Sequence, residues 1–232
     1  VGLSTVEEVG SNRIAASCCL RLEAVGRRFG ALVAVSDVSL EIPYGERRAI
    51  IGANGAGKTT LFNTIAGDFP PTSGRIILFG QDVTRLPSHR RTRRGLRRTY
   101  QNSLLFGGLT VQDNIYLALK GLEPGRLSLR RPEPDDFLFQ RAVEIGTGLG
   151  LEPILSSHVA DISHGQQRQL EIAMAVAGTP KLILLDEPAA GLSPAERIGL
   201  VQLLQQLPRQ ISIIIIEHVM YFKNTCFYRW YG

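Results

Sequence analysis

The octapeptide Gly52-Ala53-Asn54-Gly55-Ala56-Gly57-Lys58-Thr59 constrains this chain more than any other stretch. It meets the spacing G-x-x-x-x-G-K-[ST] at every defined position. Its context matches as well: Arg48 to Ile51 reads as a strand, and a helix starts near Lys58 and stops at Gly67. The glycines let backbone N–H groups curl around phosphate oxygens at a helix start, where free amides favour an anion. Lys58 reaches the β- and γ-phosphates, and the Thr59 hydroxyl is a ligand for Mg²⁺. Gly52, Asn54, Gly55, Ala56, Gly57, Lys58, Thr59 and Thr60 are therefore the candidate nucleotide-binding residues of this loop.

The flanking pattern gives the fold class. Leu20 to Ile51 alternates short apolar runs with turn signals, which predicts successive strands, and Gly74 to Val83 predicts a hairpin-like pair. From Ser88 to about Ala160 the pattern is mostly helical, broken by a proline-rich, charged stretch from Gly121 to Asp136 that reads as a surface loop. A helix to Ala177, a strand in Lys181–Pro188, a helix from about Pro194 and a strand in Ile211–His218 follow. Strands alternating with helices imply an α/β protein with a largely parallel, buried sheet, and the helical middle forms a separate lobe.

Bulk properties set the outer limits. With 232 residues, 44% hydrophobic and 20% charged, the chain is a soluble globular type, large enough for one domain with an inserted lobe. Its longest apolar runs, such as Ile211 to Ile216, fall far short of the roughly 20 residues that span a bilayer. Val1 to Ser17 lacks the charged-then-apolar order of a secretory signal, and the first residue is Val, so further residues are expected ahead of it. Cys18, Cys19 and Cys226 suit neither a disulfide framework nor a metal site and are read as reduced thiols in a cytosolic setting.

A second chemical signal is Leu182 to Pro188, "LILLDEP". Four apolar residues form a strand whose end delivers two carboxylates. Asp186 there would hold Mg²⁺, and Glu187 would polarise the attacking water as general base. A third is "ISHGQQRQ", Ile162 to Gln169. Ser163 and Gln166 form a capping box, and the helix end they build is also a ready anion site.

Phosphate loop, helical insert, Ser-x-Gly-Gln helix start and Asp-Glu-Pro, with Ser163 23 residues before Asp186, stand in the order of an ABC-type ATPase cassette. The chain resembles that family from about Leu20 to His218. The resemblance implies a P-loop NTPase fold with a RecA-like core, an antiparallel β subdomain and an inserted helical subdomain at about residues 90–165. It makes 20–232 one ATPase domain behind a poorly ordered extension at 1–19. It implies ATP and Mg²⁺ as cofactors and gives Phe29 as the aromatic that stacks on adenine. It gives Gln101 as the glutamine sensing Mg²⁺ and the attacking water, and His218 as the histidine contacting the γ-phosphate. Ala189 to Pro194 resembles the loop that crosses the dimer interface, with Ser193 where many cassettes have Asp. Two cassettes would face head to tail, so that Ser163, Gly165 and Gln166 bind the ATP held by the partner's phosphate loop. His164 replaces the Gly common in that helix start, its side chain expected to project away from the phosphate.

Residues 98–119, 162–196 and 213–218 are similar to the ATP-binding subunits of bacterial importers for branched-chain and other hydrophobic amino acids, with urea and short-amide importers as near relatives. This implies two transmembrane permease subunits and a second cassette, alike or different, as partners. It also implies a periplasmic or surface substrate-binding protein acting indirectly, and a place on the cytoplasmic face of the bacterial inner membrane. After His218 the sequence "VMYFKNTCFYRWYG" departs from the family pattern, and Trp230 and Tyr231 are expected to be partly exposed. The basic run His89 to Arg98 fits a solvated helix face, acidic lipid headgroups or a nucleic-acid patch. The last would suit a soluble ABC ATPase acting on nucleic acid or ribosomes. The single cassette without a coiled-coil insertion argues against that, and no nucleic-acid partner is expected. A non-catalytic regulatory cassette conflicts with Lys58, Asp186, Glu187 and His218.

Overall fold

Among the described residues, two four-stranded sheets organise the fold. The computed structural model describes residues 18–100, 104–123 and 136–217. The first sheet is antiparallel, with β1 (Cys18–Phe29), β2 (Leu32–Pro43), β4 (Ser73–Leu78) and β5 (Gln81–Asp82) in the order β2-β1-β4-β5. The second is parallel, with β3 (Arg47–Ile51), β6 (Leu96–Arg98), β7 (Leu182–Asp186) and β8 (Ser212–Glu217) in the order β3-β8-β7-β6.

Every residue of β7 and β8 is buried, as expected for parallel strands covered on both faces. The period of two sends alternate side chains to opposite cores. Leu182, Leu184, Ile214 and Ile216 pack with the antiparallel sheet and with α1 (Lys58–Ala66) through Leu61, Phe62 and Ile65. Ile183, Leu185, Ile213 and Ile215 pack on the other side, with α5 (His164–Val176) and α6 (Pro194–Gln206) through Ile172, Leu200 and Leu204.

A third cluster joins α3 (Val111–Lys120), α4 (Phe137–Gly148) and α5 through Ile115, Leu119, Ala142, Leu170 and Ala173. The helix α5 thus faces the parallel sheet with one stripe and the helical region with another. Thr110 and Asp113 close a capping box on α3, and the fully buried Asn114 amide donates to the carbonyls of Phe106 and Thr110. No described helix is long and apolar enough to cross a membrane.

The structure corrects the sequence in two places. Leu96–Arg98, expected within the helical stretch, is a strand paired in parallel with Leu182–Leu184, and the Thr99 N–H donates to the Leu184 carbonyl at 2.9 Å. Three residues with one apolar side chain carry no readable period; the ladder to β7 decides their conformation. The basic run is not a solvated face throughout. The helix α2 is short (Ser88–Arg93), and Arg91 is fully buried. Its guanidinium donates to the carbonyls of Thr64, Ile65, Thr84 and Leu86 at 2.7–3.1 Å, capping the C-terminal end of α1. Burial pulls its pKa down to about 10.

Gln101, His218, most of the proline-rich stretch, residues 1–17 and the C-terminal segment with Cys226, Trp230 and Tyr231 lie outside the described residues.

Candidate active site

The phosphate-loop sequence runs from the end of β3 into α1. Gly57, in the left-handed region at φ 84°, precedes Lys58, and α1 starts with no side-chain cap and no acidic residue in its first turn. The helices α3, α5 and α6 all carry capping boxes. The bare end of α1 leaves its first amides to an anion. Lys58 is buried, and its Nζ donates to the carbonyls of Gly52 at 2.6 Å and Ala53 at 2.8 Å, across the base of its own loop. Asn54, Gly55 and Ala56 form the exposed crest, while Thr59 and Thr60 are half-buried in the first turn of α1.

The hairpin β1–β2 leans on this loop. A β-carbon on Gly57 would collide with the Ala34 carbonyl, so only glycine admits the contact. Phe29, at the tip of the hairpin, keeps 43% of its surface exposed. Its ring meets Phe69 edge-on with centroids 5.4 Å apart, and the Arg27 guanidinium lies 4.5 Å from its centroid.

Asp186 ends β7 at 1% exposure. One oxygen, Oδ2, accepts from Arg98 Nη2 at 3.0 Å, and the other, Oδ1, is buried without a hydrogen-bond partner among the described residues. Burial pushes this carboxyl up, and the Arg98 contact opposes that push; the charges of Glu187 and Lys58 also act on it. An oxygen buried beside a phosphate-binding loop with no partner of its own suits a hard cation such as Mg²⁺, which prefers carboxylate and water ligands. The residues present therefore fit that ion.

Glu187 follows with φ 49°, an uncommon conformation for a residue with a side chain. Its N–H donates to the Ile216 carbonyl at 2.9 Å, and its carbonyl accepts from Ala190 N–H at 3.0 Å. The buried Glu217 carboxylate accepts from Ala189 N–H at 3.0 Å. The turn after β7 is thus fixed to the end of β8.

The helix start at Ser163 stands apart. Ser163 Oγ accepts from Gln166 N–H at 3.2 Å, and Gln166 Oε1 accepts from Ser163 N–H at 2.9 Å, which is the capping box read from the sequence. Its groove is lined by α5 and α6, with Glu196 and Leu200 among the neighbours, and not by the phosphate loop. The Glu196 carboxylate lies so close to Gly165 that a β-carbon there would sit 2.4 Å from Oε1. Ser193 and then the Gly165 backbone hold that carboxyl below its ordinary range. The His164 imidazole lies beside Gly191, in the turn after β7, where a β-carbon would stand 3.2 Å from its Cε1. Ser193 itself caps α6.

Sequence reasoning missed Arg98, Asn63, Asp68 and Tyr100. Arg98 donates from Nη1 to Asn63 Oδ1 and pairs with Asp68 Oδ2 at 3.0 Å, while its guanidinium stacks 4.7 Å from the Tyr100 ring centroid. Tyr100 OH donates to Asp68 Oδ1 at 3.4 Å. The only available signal was the position of Arg98 just ahead of Gln101.

A glycine-rich loop opening a helix, beside a buried parallel strand that ends in Asp-Glu, defines a P-loop nucleotide-hydrolysing domain. The chain belongs to the ABC transporter family, whose model matches residues 35–190. It is 38% identical over 211 residues to LivG of Escherichia coli K12, a high-affinity branched-chain amino acid transport ATP-binding protein, covering 87% of this chain and 82% of that one. It is 35% identical over 212 residues to BraF of Pseudomonas aeruginosa, of the same description, with the same coverage. LptB of E. coli K12, the ATP-binding protein of a lipopolysaccharide export system, is 36% identical over 185 residues, 79% of this chain and 73% of that one. A nucleotide-free ATP-binding cassette from an ABC transporter superposes with a TM-score of 0.78 at 28% identity, covering 90% of this chain and 85% of that one. The chain is the ATP-binding subunit of a transporter, and its activity is ATP hydrolysis.

Proposed function

We propose that this subunit energises a bacterial importer for branched-chain or other hydrophobic amino acids from the cytoplasmic face of the inner membrane. The observation that carries the reading is the similarity to LivG and BraF along 87% of the chain. A urea or short-amide importer is the alternative. LptB is nearly as similar as LivG, so the direction of transport needs its own test. In this reading the chain sits beneath two permease subunits and pairs with a second cassette, and a binding protein delivers the substrate from outside. A dimeric ATP-binding cassette in a post-hydrolysis state with ADP and Pi, 26% identical with a TM-score of 0.74, supports the pairing. The inward use of Arg91 and Arg98 speaks against a nucleic-acid role for the basic run.

The residues divide the work as follows. The amides of Gly52 to Thr60 hold the phosphates of ATP, Lys58 reaches the β- and γ-phosphates, and Phe29 stacks on adenine. Thr59 and Asp186 hold Mg²⁺ with Gln101; when bound, the ion neutralises charge developing on the phosphates. Glu187 orients the attacking water and takes its proton, and His218 contacts the γ-phosphate. Ser163, Gly165 and Gln166 bind the partner's ATP, so ATP favours the closed pair because both cassettes contact it. The charged Glu196 carboxylate beside Gly165 must then yield to a phosphate.

The test is to capture Glu187→Gln, with ATP and Mg²⁺, from native membranes and identify what it holds. Two multi-spanning permeases and a second cassette, with transport of leucine or valine once those partners are reconstituted with the parent chain, support the proposal. Ribosomal proteins, or an assembly moving urea or lipid instead, would overturn it.

A further inference from the structure

Arg98 stands at the end of β6 with its side chain 5% exposed. Its three polar partners lie on or just beyond two elements of the candidate site. Nη1 faces Asn63 within α1 and Asp68 just beyond it, and Nη2 faces Asp186 at the tip of β7. One face of the guanidinium lies on Tyr100, the residue before Gln101, and Phe62 of α1 is 5.9 Å from its centre. A planar fork so held cannot rotate, because each of its terminal nitrogens is tied to a different element.

We infer that Arg98 is a positioning residue for the metal-binding carboxylate: it occupies Oδ2 of Asp186, leaves Oδ1 as the ligating oxygen, and ties the tip of β7 to α1. The inference rests on the reading that Asp186 holds Mg²⁺. Partners that orient a metal ligand from behind act on metal affinity, and their loss typically costs 10–100-fold. A merely structural ion pair would act on stability and leave the metal dependence alone. The tie also fixes a distance, since α1 carries Thr59 and β7 carries Asp186, the two Mg²⁺ ligands named in the described residues.

The experiment measures binding of a fluorescent ATP analogue to the purified full chain, first in EDTA and then across a Mg²⁺ titration. Arg98→Gln should raise the half-saturating Mg²⁺ concentration about tenfold or more, with affinity in EDTA within about twofold of the parent. Arg98→Lys keeps the charge but not the fork, so it should restore less than half of the loss on a logarithmic scale. Asp68→Ala keeps the contacts of Arg98 with Asp186 and Asn63 and removes one of the two acceptors of Nη1. It should shift the Mg²⁺ titration about two- to threefold in the same direction, less than the loss of a whole outer-ligand partner, and it decides the matter if Arg98→Gln does not fold. A parent whose affinity ignores Mg²⁺ would overturn the metal reading and this inference together. A Mg²⁺-dependent parent with an unshifted variant, or with affinities lost equally in EDTA and Mg²⁺, would overturn this inference alone.

Discussion

The carbonyl oxygen of Ala34 lies 2.1 Å from where a β-carbon on Gly57 would stand. The strand β2 thereby fixes the last turn of the phosphate loop from outside. Gly57→Ala adds left-handed strain of about 1–2 kcal/mol and forces the hairpin away. We expect a lower urea midpoint and at least tenfold weaker ATP binding, read by denaturation and by fluorescent-nucleotide titration.

Lys58 donates to the backbone carbonyls of Gly52 and Ala53, and Ala53 is exposed, so its carbonyl can turn to water when the ammonium is removed. Lys58→Met should therefore cost no more than about 1–2 kcal/mol of stability while abolishing measurable ATP hydrolysis. Thermal melting alongside phosphate release checks both halves.

Glu187 holds φ 49° at a cost that glycine would not bear. Glu187→Gly should raise stability by about 1 kcal/mol even as hydrolysis is lost, whereas Glu187→Gln should lose hydrolysis without that gain. A melting temperature no higher for the glycine variant than for the glutamine variant would show the turn after β7 to be unstrained.

Arg91 satisfies four carbonyls at the end of α1 and around it. Arg91→Met leaves those carbonyls without their donor and should destabilise the chain by at least about 1–3 kcal/mol. The exposed Arg93, changed the same way, should stay within about 0.5 kcal/mol. Urea unfolding of the two variants side by side separates an internal cap from a surface charge.

Burial raises the Cys19 thiol from 9.0 to about 11. The folded-state pKa is above the unfolded one, so this group's contribution is full below about pH 9 and is lost as pH rises toward 11. Over that window the parent should lose up to about 1.4 kcal/mol more per pH unit than Cys19→Ala. Urea midpoints at pH 8, 9 and 10 check this, and parallel slopes would contradict it.

Much of the site was legible because its parts are contiguous. The loop from Gly52 to Thr59, the strand that delivers Asp186 and Glu187, and the Ser163–Gln166 capping box each lie within eight residues. Their hydrogen-bond geometry is therefore written in local spacing. The basic run is not legible in this way, for the opposite reason. Nothing in "HRRTRRGLRR" tells Arg91 and Arg98 from Arg90 and Arg93, because the partners of the first pair lie on α1, β7 and the turn before α2.

The sequence by itself determined the spacing of the glycine-rich loop, the strand that ends in Asp186, the capping box at Ser163 and the apolar runs that bury β7 and β8. Each follows from backbone geometry and the burial of apolar side chains over a few residues. Only the tertiary structure decided that Leu96–Arg98 is a strand, that Ala34 presses on Gly57, that Glu196 covers Gly165, and that Arg98 grips Asp186, 88 residues away. Those choices depend on which surfaces the packed sheets bring together, and one guanidinium differs from the next only in the acceptors that the fold places before it.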